Sequence, residues 1–173
     1  MDKIICFLLI IITLSACNER EEISSINPLN WEKRTANHIV KDIIKDSLEI
    51  GETYLSIYSQ IYSHSEHRTH NLTAMVSLRN TSDSDTIYIT KAKYYDTKGK
   101  LLRNYFDKPI YLSPLETVEI IIDEFDLEGG TGANFIFDWK IPDNCPEPLF
   151  EAVMNSTLSQ QGLSFTTIGR RVK

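Results

Sequence analysis

Phe135-Ile-Phe-Asp-Trp-Lys-Ile141 decides the fold. Large apolar side chains take every second position, Phe135, Phe137, Trp139 and Ile141, with Asp138 and Lys140 between them. Successive side chains of a strand point to opposite faces, so this spacing puts three aromatic rings and an isoleucine on one face. A helix would scatter them around its circumference. The stretch reads as a strand with one side in a core and Asp138 pointing outward.

The same period runs through the flanking sequence. Upstream, Leu72, Ala74, Val76 and Leu78 share one face, and Val118, Ile120 and Ile122 share another. Leu55, Ile57 and Ile61 oppose Tyr54, Tyr58 and Tyr62. Ile87 and Ile89 fall out of phase with Ala92 and Tyr94, and a bulge near Thr90 or Lys91 restores the register. Leu101–Tyr105, a short Ile110–Leu112, Leu149–Met154 and Leu163–Ile168 complete the set. Turn formers separate these runs: Asn80–Asp85, Asp96-Thr-Lys-Gly99, Asp107-Lys-Pro109 and Pro114. About eight short strands with turn signals at roughly ten-residue spacing predict an all-β chain, an antiparallel, immunoglobulin-like β-sandwich. No helices alternate with the strands, which argues against a parallel, doubly wound sheet.

The N-terminus is of another kind. Lys3 precedes an apolar run from Ile4 to Leu14, too short for the roughly 20 residues of a spanning helix. It fits the apolar region of a signal peptide. Leu14-Ser15-Ala16-Cys17 resembles the lipobox of bacterial lipoproteins. That resemblance implies cleavage before Cys17, a diacylglycerol on its thiol and an acyl chain on the new amino group. It implies a lipid-anchored protein of the bacterial cell envelope, and Asn18 in place of aspartate favours the outer membrane of a Gram-negative cell. The expected division is a signal peptide at 1–16, the lipidated Cys17 and a tether at 17–48, and the sandwich at 49–173. Ile39, Val40, Ile43 and Ile44 recur at helical spacing within the tether and predict a short amphipathic helix there.

A formal charge of −6 argues against nucleic acid, which needs a basic footprint. It also argues against electrostatic adhesion to anionic lipid, leaving the covalent lipid to hold the membrane. Of the three cysteines, Cys6 leaves with the signal and Cys17 takes the lipid. Cys145 then stands alone in Ile141-Pro-Asp-Asn-Cys-Pro-Glu-Pro148, so the exported domain has no internal disulfide and must rely on its apolar core.

Several short motifs add a resemblance. Gly51-Glu-Thr-Tyr-Leu-Ser-Ile-Tyr-Ser59 is followed by Leu78-Arg-Asn80, then by Tyr94-Tyr-Asp96 with Gly99-Lys-Leu101. Gly129-Gly-Thr-Gly-Ala-Asn-Phe135, Glu151-Ala-Val-Met154 and Gln161-Gly-Leu-Ser-Phe165 come after. In this order they resemble domain-of-unknown-function family 3124, a set of exported bacterial proteins, over roughly Gly51 to Arg171. The resemblance implies one domain and an envelope location. It implies no catalytic residues.

Candidate sites follow from residue type. Tyr54, Tyr58 and Tyr62 offer apolar rings with polar tips, suited to sugars or protein surfaces, or to packing under segment 31–48. Gly129, Gly130 and Gly132, with Asn134, form a binding loop or a tight turn; no Gly-Lys-Ser/Thr opens a helix there, so a P-loop is not expected. Asp138 between Phe137 and Trp139 is the acid best placed for inspection. His64, His67 and His70 with Glu66 have zinc-type donors, but spacing of three does not put ligands on one face of a strand. Asp123, Glu124, Asp126 and Glu128 supply oxygens without the calcium-loop pattern. No metal and no cofactor is assigned. The expected function is a non-enzymatic binding or protein-interaction module, with an envelope protein or glycan as partner and no nucleic acid. The alternatives are an envelope hydrolase or metal-binding protein with an unrecognised carboxylate or histidine site, and an accessory subunit of an envelope complex.

Overall fold

The stripe at 135–141 lies at the centre of a two-sheet sandwich. The structure is a computed structural model that describes residues 48–157 and 162–173, together with Thr35. The signal-peptide, Cys17 and tether-helix expectations fall on residues outside these, as does Gln161. Among the described residues twelve strands follow one another: β1 Glu49–Ile57, β2 Gln60–Ser63, β3 Ser65–Asn71, β4 Thr73–Arg79, β5 Ile87–Tyr95, β6 Leu101–Asn104, β7 Ile110–Leu112, β8 Thr117–Ile122, β9 Ala133–Ile141, β10 Leu149–Ser156, β11 Leu163–Ile168 and β12 Arg170–Arg171. The six-stranded sheet has the order β12-β1-β9-β5-β6, with β7 also on β5. The four-stranded sheet has the order β11-β10-β4-β8. Every pairing is antiparallel.

Period-two patterning accounts for the core. Phe135, Phe137, Trp139 and Ile141 are fully buried, as are Ala74, Val76 and Leu78 on β4 and Leu72 just before it. Rings run in a file across the interior: Tyr94 on Phe135 at 4.8 Å, Phe135 on Phe137 at 5.2 Å, and Phe137 on Phe150 at 4.3 Å. Phe150 belongs to β10, so the last contact joins the two sheets. Fully burying a phenylalanine contributes about 1.5–3 kcal/mol, and a well-placed ring pair about 0.5–1.5 kcal/mol more.

The expected bulge is present, with the β5–β9 register shifting between Ile89 and Lys91. The strand count exceeds the expected eight in part through the two-residue β12, and for two further reasons. The tyrosine run expected as one strand breaks at buried Ser59 into β1 and β2. The histidine-rich stretch forms β3, which pairs with β2 as a separate two-stranded ribbon. The first five residues of β3 are exposed, so no apolar alternation marks this strand in the sequence.

Trp139 sets a second constraint. Its indole lies over Gly51, its partner across the β1–β9 ladder, and its Nε1 donates to Thr53 Oγ1 at 2.9 Å. A Cβ on Gly51 would come 2.1 Å from Trp139 Cζ2. Gly51→Ala is expected to force this fully buried ring aside and to cost about 1–3 kcal/mol or more. Urea denaturation checks this, and an unchanged midpoint would show that the ring can shift freely.

Candidate functional site

The glycine loop fastens the root of the β2–β3 ribbon. Gly130 has φ +72, and its carbonyl accepts from the Ser59 N–H at 3.1 Å. The Ser59 carbonyl accepts from Leu72 N at 2.9 Å, closing the ribbon where it leaves the sandwich. A Cβ on Gly129 would come 1.9 Å from the Tyr94 hydroxyl and 2.8 Å from Ser59 Oγ, which themselves share a 2.9 Å hydrogen bond. Thr97 ties in the neighbouring hairpin: its N–H and hydroxyl both donate to the Gly129 carbonyl, and its Oγ1 accepts from Gly132 N at 3.0 Å. Gly130 N donates to the Leu127 carbonyl at 3.2 Å. The Gly130 and Gly132 amides that an anion cradle would use are thus committed within the loop. Of the two alternatives for this motif, the geometry matches the tight turn with close backbone approach.

The acidic run beside this loop surrounds an arginine. Arg103 pairs with Asp126 and with Glu128, and its guanidinium lies 5.6 Å from the centre of the Tyr94 ring. Asp123 caps its own turn by accepting from Phe125 N at 2.8 Å. On the ribbon, the His67 ring faces Glu66 and His70 bonds Ser63. Among the described residues, no three His, Cys, Asp or Glu side chains form a group able to hold a metal ion. The Cys145 thiol is buried, and burial raises its pKa.

The three tyrosines do not form one platform. Tyr58 packs edge-on against Phe165 at 5.7 Å, and Tyr62 stands 60% exposed on the ribbon. Tyr54 alone lies on the outer face of the six-stranded sheet, at 37% exposed. Asn134 and Asp138 share that face, since residues directly opposite in a ladder point the same way. The register builds it row by row: Ser56, Asn134 and Tyr95; then Arg170, Tyr54, Ile136 and Lys93; then Glu52, Asp138 and Lys91; then Ile50, Lys140, Tyr88 and Tyr111. Asp138 Oδ2 lies 3.6 Å from Lys91 Nζ and 4.0 Å from Lys93 Nζ. Its Oδ1 is screened from solvent and has no hydrogen-bond donor among the described residues. Lys173 pairs with Glu52 at 3.0 Å.

Sequence reasoning thus found Tyr54, Asn134 and Asp138 of this face but missed Lys91, Lys93, Lys140 and Arg170. Outward alternation within each strand was the available signal. Adjacency of β12, β1, β9 and β5 is what gathers the cations, and a strand pattern does not carry it.

Antiparallel sandwich, aromatic core, glycine-fastened ribbon and a polar outer face define a β-sandwich domain. The family model "Protein of unknown function (DUF3124)" matches residues 51–172, and the chain belongs to that family. No curated protein and no solved structure matches the chain.

Tyr94 gives this end of the molecule a pH dependence. Burial pushes its hydroxyl up to about 12, against a smaller downward pull from the Ser59 hydrogen bond. Burial also raises Tyr105 well above the usual tyrosine range. A raised folded-state pKa means the native state holds its proton longer. The stabilisation is complete below the unfolded value of 10.0 and is lost as pH rises towards about 12. Tyr94→Phe should cost about 1 kcal/mol at neutral pH through the lost hydrogen bond. It should also flatten the alkaline decline. Urea midpoints at neutral and alkaline pH check this, and parallel declines in variant and parent would refute it.

Proposed function

We propose that the chain is a lipid-anchored, non-enzymatic binding module of the bacterial envelope. One observation carries the binding part. The outer face of the six-stranded sheet gathers tyrosines, lysines and the Asp138 carboxylate, from four adjacent strands, on a rigid ladder. Such a surface offers flat apolar contact together with fixed donors and acceptors. The Leu14–Cys17 box supports the anchoring part. No helix among the described residues is long and apolar enough to cross a membrane, and a cysteine carrying a diacylglycerol and an N-acyl chain supplies stable attachment without one.

The chain enters the sandwich at Glu49, beside Arg171 and Glu147, with the ribbon and glycine loop at the opposite end. On this reading the tether leaves from the Arg171 end.

Two measurements test the proposal. Metabolic labelling with a fatty acid, followed by fractionation, should find lipid on the processed protein and place it with membranes. Cys17→Ser should abolish label and membrane retention. Membrane-bound, processed protein without lipid would refute the anchor. For binding, the mature chain carrying Cys17→Ser should associate saturably with isolated cell envelopes, and linear, non-saturable uptake would refute the module.

A further inference from the structure

Charge is distributed unevenly over this acidic chain. The outer face of the six-stranded sheet carries Lys91, Lys93, Lys140 and Arg170 around a single carboxylate, Asp138, once Glu52 and Lys173 are set aside as a pair. The whole chain is −6, so this face is a positive island on a negative molecule. The opposite outer face differs. There Arg79 is consumed by Glu151 at 2.6 Å, Glu119 faces outward, and Ile121 and Ile168 are exposed.

We infer that the outer face of the six-stranded sheet, centred on Asp138, binds an anionic polysaccharide. The inference rests on the binding-module reading and names its ligand class. Three features favour a sugar polymer over an acidic peptide. First, β1, β9 and β5 are interior strands, paired on both sides. Their backbone groups are committed to ladders, and the main-chain pairing by which extended peptides dock needs a free edge. A ligand on this face is held by side chains alone. Second, the Tyr54 ring beside Ile136 gives the flat apolar surface against which a pyranose face packs. Third, Asp138 repels an acidic side chain, whereas its Oδ2, which carries the exposure the side chain keeps, accepts from a hydroxyl. A uronic-acid or phosphate-bearing glycan provides both needed groups, anions for the lysines and arginine and neighbouring hydroxyls for Asp138.

The bulge between Ile89 and Lys91 makes the arrangement possible. It shifts β5 by one residue, so that Lys91 and Lys93 fall on the outer face while Ala92 and Tyr94 remain in the core.

The test uses the mature chain with Cys17→Ser and three probes: oligogalacturonate, a neutral malto-oligosaccharide and oligoglutamate. Oligogalacturonate should bind saturably, weaken with added salt, and outcompete the other two. Lys91→Glu with Lys93→Glu should weaken it about tenfold or more. Lys98→Glu with Lys100→Glu makes the same change of net charge on the 96–100 hairpin, where both lysines are exposed, and should leave binding near the parent value. Asp138→Ala separates the mechanisms. Hydroxyl recognition predicts weaker binding, whereas bare attraction to a more positive face predicts tighter binding. Circular dichroism and thermal melts confirm that each variant folds. Oligoglutamate binding as tightly as oligogalacturonate, tighter binding by Asp138→Ala, or equal losses in both charge-reversed pairs would each overturn the inference. If saturable envelope binding persists while oligogalacturonate fails to bind, the glycan inference falls and the binding module stands. If both are lost, both fall.

Discussion

The stack of Phe137 on Phe150 holds the two sheets together. The rings lie 4.3 Å apart and 7° from parallel, one from each sheet. Sheets pack at about 10 Å, a gap filled by side chains that interdigitate from the two inner faces. Aromatic rings on β9 fill it, and the rest of the interior is arranged around them. The smaller partners follow from that choice. Ala74 and Ala152 lie within the packed interior, and Gly51 leaves room under Trp139. With no disulfide among the described residues, cohesion rests on this file of rings and on the aliphatic residues flanking it.

A sandwich is open at its ends, and here an arginine covers an aromatic ring at each. Arg171 lies 5.0 Å from the Trp139 ring centre and is held by Glu49 and Glu147. Arg103 lies over Tyr94 and is held by Asp126 and Glu128. A guanidinium suits this position because its plane stacks on a ring while its fork takes carboxylates. The two ends nevertheless differ. Arg171 and its carboxylates are exposed and contribute little by charge alone, whereas Asp126 is buried beside Arg103 and depends on it. Two acids of the run at 123–128, Asp126 and Glu128, are the counter-charge of this arginine.

The surface groups are placed in ways that residue type did not foretell. The glycines form the hinge pin of a ribbon, with their carbonyls and amides turned to Ser59, Leu127 and Thr97. The tyrosines at 54, 58 and 62 part company because the strand breaks at Ser59. Side chains on a sheet become neighbours through register, so the basic face assembles from residues as distant as Lys91 and Arg170.

The sequence by itself determined the fold class, the bulge near Thr90 and the inward set on β4, β8 and β9. All three follow from a period of two, which each strand displays without reference to any other. It also determined that Asp138 faces outward, by the same rule. The tertiary structure decided the β2–β3 ribbon, because a strand with no buried face leaves no periodic trace. It decided that Gly51 lies under Trp139, because that requires β1 beside β9. It gathered four cations into one face of an acidic chain, because strand order and register, neither of which is local, determine which outward residues meet.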